Sequence, residues 1–349
     1  MLQSGPVDLG LSDEQRQLVA SFTNLLAKAS SPERVRGAEP GGVDDGLWRT
    51  LLDTGVVTMA VAESRGGWGA SLLDLALVAE QVGRALAPAP VIEAQVAARL
   101  LAAVAAPPAL AALDGLLGAE HLVSVALHPP AGGVARLTPA GAVCDAVVVL
   151  DGDRLALVPV GDGARHPVAN LAAAPLADLD LTGDAITLAT GREATVRFEA
   201  ALDEWLVLTS AALVGIGSAA LDLGCAYAAE RHAFGVPIGT FQGVSHPLAD
   251  DATRLDGARL LAQKAAWALD RDESRGRELA AMAFAFASRT AEAATYDALH
   301  VHGGYGFMLE YDVQLHYRRA RGWARTWGDA EAADRRAAAA RYDTTSGAR

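Results

Sequence analysis

The sequence is poor in cysteine and aromatic residues and lacks long, uninterrupted apolar runs. Cys144 and Cys225 are its only cysteines in 349 residues, too few for a disulfide framework or a cysteine metal site. Arg, Glu, Asp or Gln interrupts each apolar stretch before it reaches the roughly 20 residues that cross a bilayer. The first ten residues have no basic start and no long apolar core. We therefore expect no secretory signal, no membrane span, no metal site and a cytoplasmic location.

Basic residues are also scarce, which excludes one class of partner. The chain has 29 Lys and Arg against 42 Asp and Glu, a formal charge of −13. Nucleic-acid binding depends on clustered Lys and Arg, so no nucleic-acid partner is predicted, and an anionic ligand has to be held by a local basic site. The hydrophobic fraction is 51% although aromatic residues supply only 5%. Small aliphatic side chains of this kind suit closely packed helices.

The length allows two or three domains, and the patterns predict a mainly α-helical protein with a central β domain. The predicted divisions are an N-terminal helical domain at 1–118, a small β domain at 119–202 and a C-terminal four-helix bundle at 203–349. In the first, a capping box at Ser12 and Gln15 opens a helix, and further helices are expected near 43–53, 71–86 and 91–105.

After Pro107 the pattern changes to short β-branched runs, which predict strands at 146–150, 155–160 and 194–198. Their turn residues fit hairpins better than parallel crossovers. Long alanine-rich helical patterns then follow and predict an antiparallel bundle. They cover 205–230, 242–270 and 273–301, with a shorter helix after Asp329.

A loop between two of the long helices carries the first candidate site. It runs from Arg231 through Phe234 and Gly235 to Gln242. The planar fork of Arg suits a diphosphate, helix-start amide groups favour anions, and the Phe ring and Gln amide offer stacking and hydrogen bonding. An isolated Arg-x-x-Phe-Gly is more often a surface loop with a charge at a helix end. A second motif, His300-Val-His-Gly303-Gly304-Tyr-Gly-Phe, follows on the third long helix.

Together these two motifs resemble the acyl-CoA dehydrogenase family, and the resemblance covers most of the chain. It implies that FAD binds between the β domain and the bundle, with its adenosine diphosphate half held by the neighbouring subunit. By this resemblance Arg231 contacts the pyrophosphate and Phe234 and Gln242 lie beside it. His300, where the family usually has Gln, would lie with Gly303 and Gly304 at the adenosine end.

The chain departs from the family where the reaction takes place. Family members remove an α-proton from an acyl-CoA thioester with a Glu that precedes a Gly, but here Trp327 stands at that position, and an indole accepts no proton. Some members place the Glu near the start of the first bundle helix, where Glu204 is a candidate base. Alternatively, Asp203 and Glu204 favour the positive end of that helix, and Asp329 caps the last helix.

The β domain departs as well. The family's turn with hydroxyl groups against the flavin ring reads Leu127-His-Pro-Pro-Ala-Gly-Gly133 here, so hydroxyl donors are missing. The chain therefore resembles the shortened, catalytically incomplete subunit of two-gene, actinobacterial-type members of the family.

Three hypotheses remain from the sequence. In the first, this chain works in a heterotetramer with a catalytic sister subunit, on an acyl-CoA that is bulky or steroid-derived in such family members, and passes electrons to an electron-transfer flavoprotein or a similar carrier. In the second, it is a self-sufficient homomeric dehydrogenase that uses Glu204. In the third, it is a flavin-free scaffold subunit.

Overall fold

The computed structural model describes residues 10–342, so most of the N-terminal segment considered for a signal lies outside it. The N-terminal part is helical, as predicted. Ser12 accepts a hydrogen bond from the Gln15 backbone N–H, and the Gln15 side chain returns one, which confirms the capping box. Six helices are described here: α1 (Asp13–Ala29), α2 (Pro32–Ala38), α3 (Asp45–Asp53), α4 (Leu72–Arg84), α5 (Val91–Val104) and α6 (Pro107–Leu117).

Helices α3, α4 and α5 match the predicted ones, whereas α2 and α6 were not predicted. Pro107, where the sequence pattern changes, opens α6 rather than a strand region. Proline suits the first turn of a helix because the missing N–H has no intrahelical partner there.

The β region consists of two small sheets. Its strands are β1 (Val123–Val125), β2 (Val134–Thr138), β3 (Ala146–Asp151), β4 (Arg154–Pro159), β5 (Arg165–Pro167), β6 (Ala177–Asp180) and β7 (Ile186–Thr190). One sheet has the order β1-β3-β4-β7 and the other β2-β6-β5. Strands β3 and β4 form the predicted hairpin, but β1 and β3 pair in parallel. The region therefore does not consist of hairpins alone. Strand β2 lies between β1 and β3 in the sequence but belongs to the other sheet.

The strand predicted at 194–198 and the helix start predicted at 205 are wrong. One helix, α7 (Gly191–Glu230), covers both regions over 40 residues. Its buried residues Ala194, Phe198 and Ala201 recur every three or four positions, which is helical periodicity. Packing of this face overrides the local β preference. Gly191, with φ 62°, allows the turn from β7 into the helix.

The rest of the chain completes the bundle with α8 (Gln242–Asp270), α9 (Gly276–Val301), α10 (Val313–Trp323) and α11 (Ala330–Tyr342). Asp329 caps α11 as predicted, since its Oδ1 accepts from the Ala332 backbone N–H at 2.8 Å. That hydrogen bond lowers the pKa of the Asp329 carboxyl. The domain divisions at 118 and 202 stay predictions, and α7 crosses the second of them.

Within residues 10–342, α7 is long and apolar enough to cross a membrane by length and composition. This corrects the expectation that charged and polar residues leave every apolar run too short. Of its most apolar stretch, 72% is buried inside the protein. The helix is thus the core helix of the bundle, which explains its apolar character.

Two glycines allow α4 and α7 to pack with their backbones in contact. A Cβ on Gly83 would lie 2.0 Å from the Ala212 carbonyl oxygen, and one on Gly215 would lie 2.0 Å from the Glu80 carbonyl oxygen. Any side chain here would force the helices apart. The contact joins the N-terminal helices to the bundle.

We expect Gly215→Ala to lower the free energy of unfolding by about 1–3 kcal/mol, because the new methyl group meets backbone rather than a flexible side chain. Urea denaturation measures this. Gly37→Ala in α2 is the control, because a Cβ there meets nothing within 4 Å, and it should leave stability unchanged or slightly raised. Equal free energies of unfolding for Gly215→Ala and Gly37→Ala would contradict the close approach of α4 and α7.

Candidate functional site

The loop between α7 and α8 is a small two-stranded ribbon. Strands β8 (His232–Ala233) and β9 (Val236–Pro237) pair antiparallel. At the tip, Phe234 and Gly235 have φ values of 54° and 83°, the left-handed pair that a tight two-residue hairpin turn requires. The turn leaves the Phe234 ring 97% exposed. The ring therefore contributes little to the core of this chain and is free to contact another molecule.

Arg231 lies at the base of this ribbon, directly after α7. Its carbonyl oxygen accepts from the Ile238 backbone N–H at 2.7 Å, while its exposed guanidinium makes no hydrogen bond or ion pair within residues 10–342. The exposed Gln242 is the first residue of α8, whose N-cap residue Phe241 provides no side-chain cap. A partnerless guanidinium and a free helix start at one loop suit a diphosphate.

The second motif lies at the same end of the bundle, next to an aromatic contact between α7 and the residue that follows α9. Buried His302 stacks on Tyr227, with ring centroids 4.3 Å apart. Tyr227 lies in the last turn of α7, next to Arg231, while His302 directly follows α9. The imidazole Nδ1 also lies 2.7 Å from the Ala298 carbonyl oxygen. The stack holds the ends of α7 and α9 together, and with them the two motifs.

The remaining predicted residues are exposed around this stack. A Cβ on Gly303 or Gly304 would meet nothing within 4 Å, so the backbone there is accessible to a ligand. His300 stacks on the exposed Tyr296, with centroids 6.1 Å apart. The fold thus brings all six predicted cofactor-binding residues to one end of the bundle.

An exposed apolar surface surrounds both motifs, a feature that the sequence analysis missed. Phe307 is 66% and Leu309 is 74% exposed. We call this the clamp surface, formed by Phe234, Val236, Phe241, Tyr305, Phe307, Met308 and Leu309. Exposed apolar patches of this kind mark contact sites for other proteins or ligands. Exposure depends on which neighbours the fold supplies, so the sequence carries no direct signal for it.

A cleft lies between the α4–α5 turn, the β region and helices α7 and α10. Its enclosed volume is about 60 Å³, room for a few water molecules. Pockets for drug-sized ligands typically enclose roughly 300–1,000 Å³, so a flavin ring does not fit here. At one side, Trp327 packs against Phe284 with centroids 6.0 Å apart, and Phe284 contacts Trp205 at 6.1 Å.

Glu204 does not line this cleft. Its carboxylate pairs with Arg99 on α5 at 3.0 Å. Burial raises the pKa of Glu204, and Arg99 opposes the rise. Asp203 lies within 3.0 Å of Arg277 and 2.6 Å of Arg336. The helix-start interpretation of both acids is wrong, since α7 begins at Gly191, and both instead tie α7 to neighbouring helices.

Glu93 on α5 is a cleft residue that the sequence analysis missed. Burial raises the pKa of its carboxyl from 4.5 to about 7. The sequence gives little indication of this role, because single acidic residues are common in helices and their burial depends on the tertiary structure. Among residues 10–342, no group of three or more His, Cys, Asp or Glu side chains is arranged to hold a metal ion.

Comparisons with known proteins agree with this arrangement. Residues 12–107 match the acyl-CoA dehydrogenase N-terminal domain and residues 198–341 the C-terminal domain. The chain belongs to the acyl-CoA dehydrogenase family, and the FAD cofactor predicted from the motifs is confirmed.

Individual relatives cover nearly the whole chain. The acyl-CoA dehydrogenase IpdE2 of Mycolicibacterium smegmatis is 30% identical over 322 residues, 91% of this chain and 96% of that protein. The ChsE4–ChsE5 complex of Mycobacterium tuberculosis contains a chain that is 25% identical, with a TM-score of 0.85 over 94% of this chain and 97% of its own. The Tcur3481–Tcur3483 steroid enzyme shares the fold, with a TM-score of 0.86 at 24% identity over 96% of this chain and 99% of its own.

The raised pKa of Glu93 predicts a specific pH dependence. Folding favours the protonated acid, so the wild-type free energy of unfolding should fall as the pH rises from about 4.5 towards 7. Glu93→Gln removes the ionisation. We expect it to be more stable than the wild type by about 2–3 kcal/mol at pH 8 and equally stable near pH 4.

Denaturation at several pH values measures this difference, with the exposed Glu120→Gln as the control. A stability gap between Glu93→Gln and the wild type that does not change with pH would contradict the buried, protonated state.

Proposed function

We propose that this chain is one subunit of a heteromeric, FAD-dependent acyl-CoA dehydrogenase and that it holds the diphosphate of an FAD seated on a catalytic partner subunit. The reaction is the α,β-desaturation of an acyl-CoA thioester. The observation that carries the proposal is the partnerless, exposed guanidinium of Arg231 beside Phe234 and a free helix start. A cation without a carboxylate partner in a chain of charge −13 suits an anionic ligand.

Each residue of the site has a task in this proposal. The fork of Arg231 donates two hydrogen bonds to the diphosphate, and the start of α8 adds amide donors. Phe234 and Gln242 contact the cofactor beside it, and His300 hydrogen-bonds at the adenosine end. Gly303 and Gly304 let the backbone approach closely. Bound FAD supplies the hydride acceptor of the reaction.

The partner subunit supplies the base and the pocket for the flavin ring. In this chain, the indole of Trp327 takes no proton, and the 60 Å³ cleft has no room for the ring. The pairing of Glu204 with Arg99 at 3.0 Å, away from the cleft, argues against the self-sufficient homomer. FAD-binding residues in a chain without its own active site can serve catalysis only next to a subunit that has one.

The clamp surface supports the same conclusion, because an exposed apolar patch around a cofactor motif needs a protein to cover it. The ChsE4–ChsE5 complex, which contains a chain similar to this one, combines two different chains. A heterotetramer follows as our proposal for the assembly. The bulky, steroid-derived acyl group and the electron-transfer flavoprotein acceptor remain part of the proposal by resemblance.

Counting flavins tests the subunit role directly. We expect the chain purified alone to be colourless and inactive, and the complex with its partner to carry one FAD per pair of chains. Absorbance spectroscopy against total protein measures the ratio. A yellow, active protein made of this chain alone would refute the proposal and favour the homomer.

Replacing Arg231 tests the proposed contact with the FAD diphosphate. Arg231→Ala should weaken FAD binding by the co-purified complex about 10- to 100-fold, because two charge-assisted hydrogen bonds are lost. FAD titration of the flavin-depleted complex measures the dissociation constant. Arg271→Ala is the matched control, since Arg271 lies at the other end of α8 over Trp267.

Arg271→Ala should bind FAD like the wild type. Unchanged FAD affinity in Arg231→Ala would favour the flavin-free scaffold instead.

A further inference from the structure

Three buried hydrogen-bond donors line the cleft, and two of them have no acceptor in the described part of the chain. Trp205, Thr209 and Arg319 are each 3% exposed. The Trp205 Nε1 and Thr209 Oγ1 atoms have no hydrogen-bond partner within residues 10–342. Arg319 donates to the Ala172 carbonyl oxygen and has no ion pair in the same part of the chain.

These unsatisfied donors lower the stability of the fold unless a polar ligand accepts their hydrogen bonds. A buried donor without an acceptor lowers stability, and a buried guanidinium without a carboxylate lowers it further. Burial lowers the pKa of Arg319 to about 10, and Glu39 opposes the change. At neutral pH the side chain is still a cation, facing a cavity rather than a counter-ion.

The donors come from two helices and line the same cleft. Trp205 and Thr209 are four residues apart on α7 and therefore lie on the same helix face, while Arg319 reaches the cleft from α10. The other lining side chains are mostly apolar, among them Val82, Leu86, Ile92 and Leu176. Donors on one side and apolar walls on the other suit an acceptor-rich group with a short hydrocarbon part.

Glu93 is the acid that lines this space. Its carboxyl lies near the Trp205 indole N–H, but the two make no hydrogen bond of good geometry. Because burial raises the pKa of Glu93 to about 7, the protonated acid does not neutralise Arg319 in mildly acidic solution. An anionic ligand in the cleft would give Arg319 the ion pair that it does not make within residues 10–342.

We propose that this cleft binds the carboxylate of a short, aliphatic carboxylic acid, with Arg319, Thr209 and Trp205 as the donors. The enclosed volume of about 60 Å³ limits the ligand to a few heavy atoms. This site is separate from the clamp, so it does not depend on the proposed FAD contacts, and the flavin measurements above do not test it.

Calorimetric titration of butyrate into the full chain, in its purified complex, tests the site. We expect saturable binding in the wild type, weakened about tenfold in Thr209→Val and roughly a hundredfold in Arg319→Met, since charged hydrogen bonds are stronger. Arg289→Met is the matched control. Its guanidinium pairs with Asp334 on α11 and does not line the cleft, so butyrate affinity should not change.

A pH series provides a second measurement that does not depend on the folding of the Arg319 variant. Glu93 on α5 and Arg319 on α10 are the titratable groups that line the cleft, with Glu39 and Arg318 acting on Arg319 from its far side. Ionised Glu93 repels a carboxylate. Butyrate affinity should therefore fall between pH 6 and pH 8, and Glu93→Gln should abolish the fall.

The proposal is overturned if the wild type shows no saturable butyrate binding, in which case the donors hold buried water only. Equal loss of butyrate affinity in Arg289→Met and Arg319→Met would also overturn it, because binding would then reflect the general charge of the protein. Tighter binding of inorganic phosphate than of butyrate would overturn the carboxylate assignment. Normal FAD content in every variant would confirm that the clamp is independent of these outcomes.

Discussion

The close packing of α7 against its neighbours is the constraint on which the rest of the structure depends. Gly215 and Gly83 allow the backbones of α7 and α4 to touch, and Gly224 lies against Ala298 of α9 in the same way. Small residues therefore decide how closely the N-terminal helices and the bundle approach. Because α7 extends from the β region to the clamp, its packing positions both the cleft and the loop that follows it.

The middle and the C-terminal end of α7 differ in chemistry. Around its middle, Trp205, Phe284 and Trp327 form an aromatic cluster where the family keeps a base. At its C-terminal end, the Tyr227–His302 stack supports two motifs whose side chains face solvent. A chain with only 5% aromatic residues thus places several of them beside the cleft and several on the exposed clamp surface. This division fits our proposal that the chain is one subunit of a heteromer.

The charged side chains fall into two groups, those paired within the fold and those without a carboxylate partner in the described part of the chain. Asp203 and Glu204 are held by arginines from other helices, and Asp270 accepts from the Leu72 backbone N–H at the start of α4. These pairs connect neighbouring helices. Arg231 and Arg319 are the contrast, because one lies exposed and the other buried without a carboxylate partner in the described part of the chain. Paired charges connect helices, and the partnerless ones are those to which we assign ligands in our proposals.

The sequence by itself determined the features that depend on local chemistry. The capping box at Ser12, the Asp329 cap and the Arg231–Gln242 loop each involve residues close together along the chain, so their pattern carries the information. The tertiary structure decided everything that depends on burial. Helix α7 begins at Gly191 because its Ala194 and Phe198 face pack against the core. Glu93, the small cleft and the exposed clamp surface follow from which distant segments meet, and no local pattern records that.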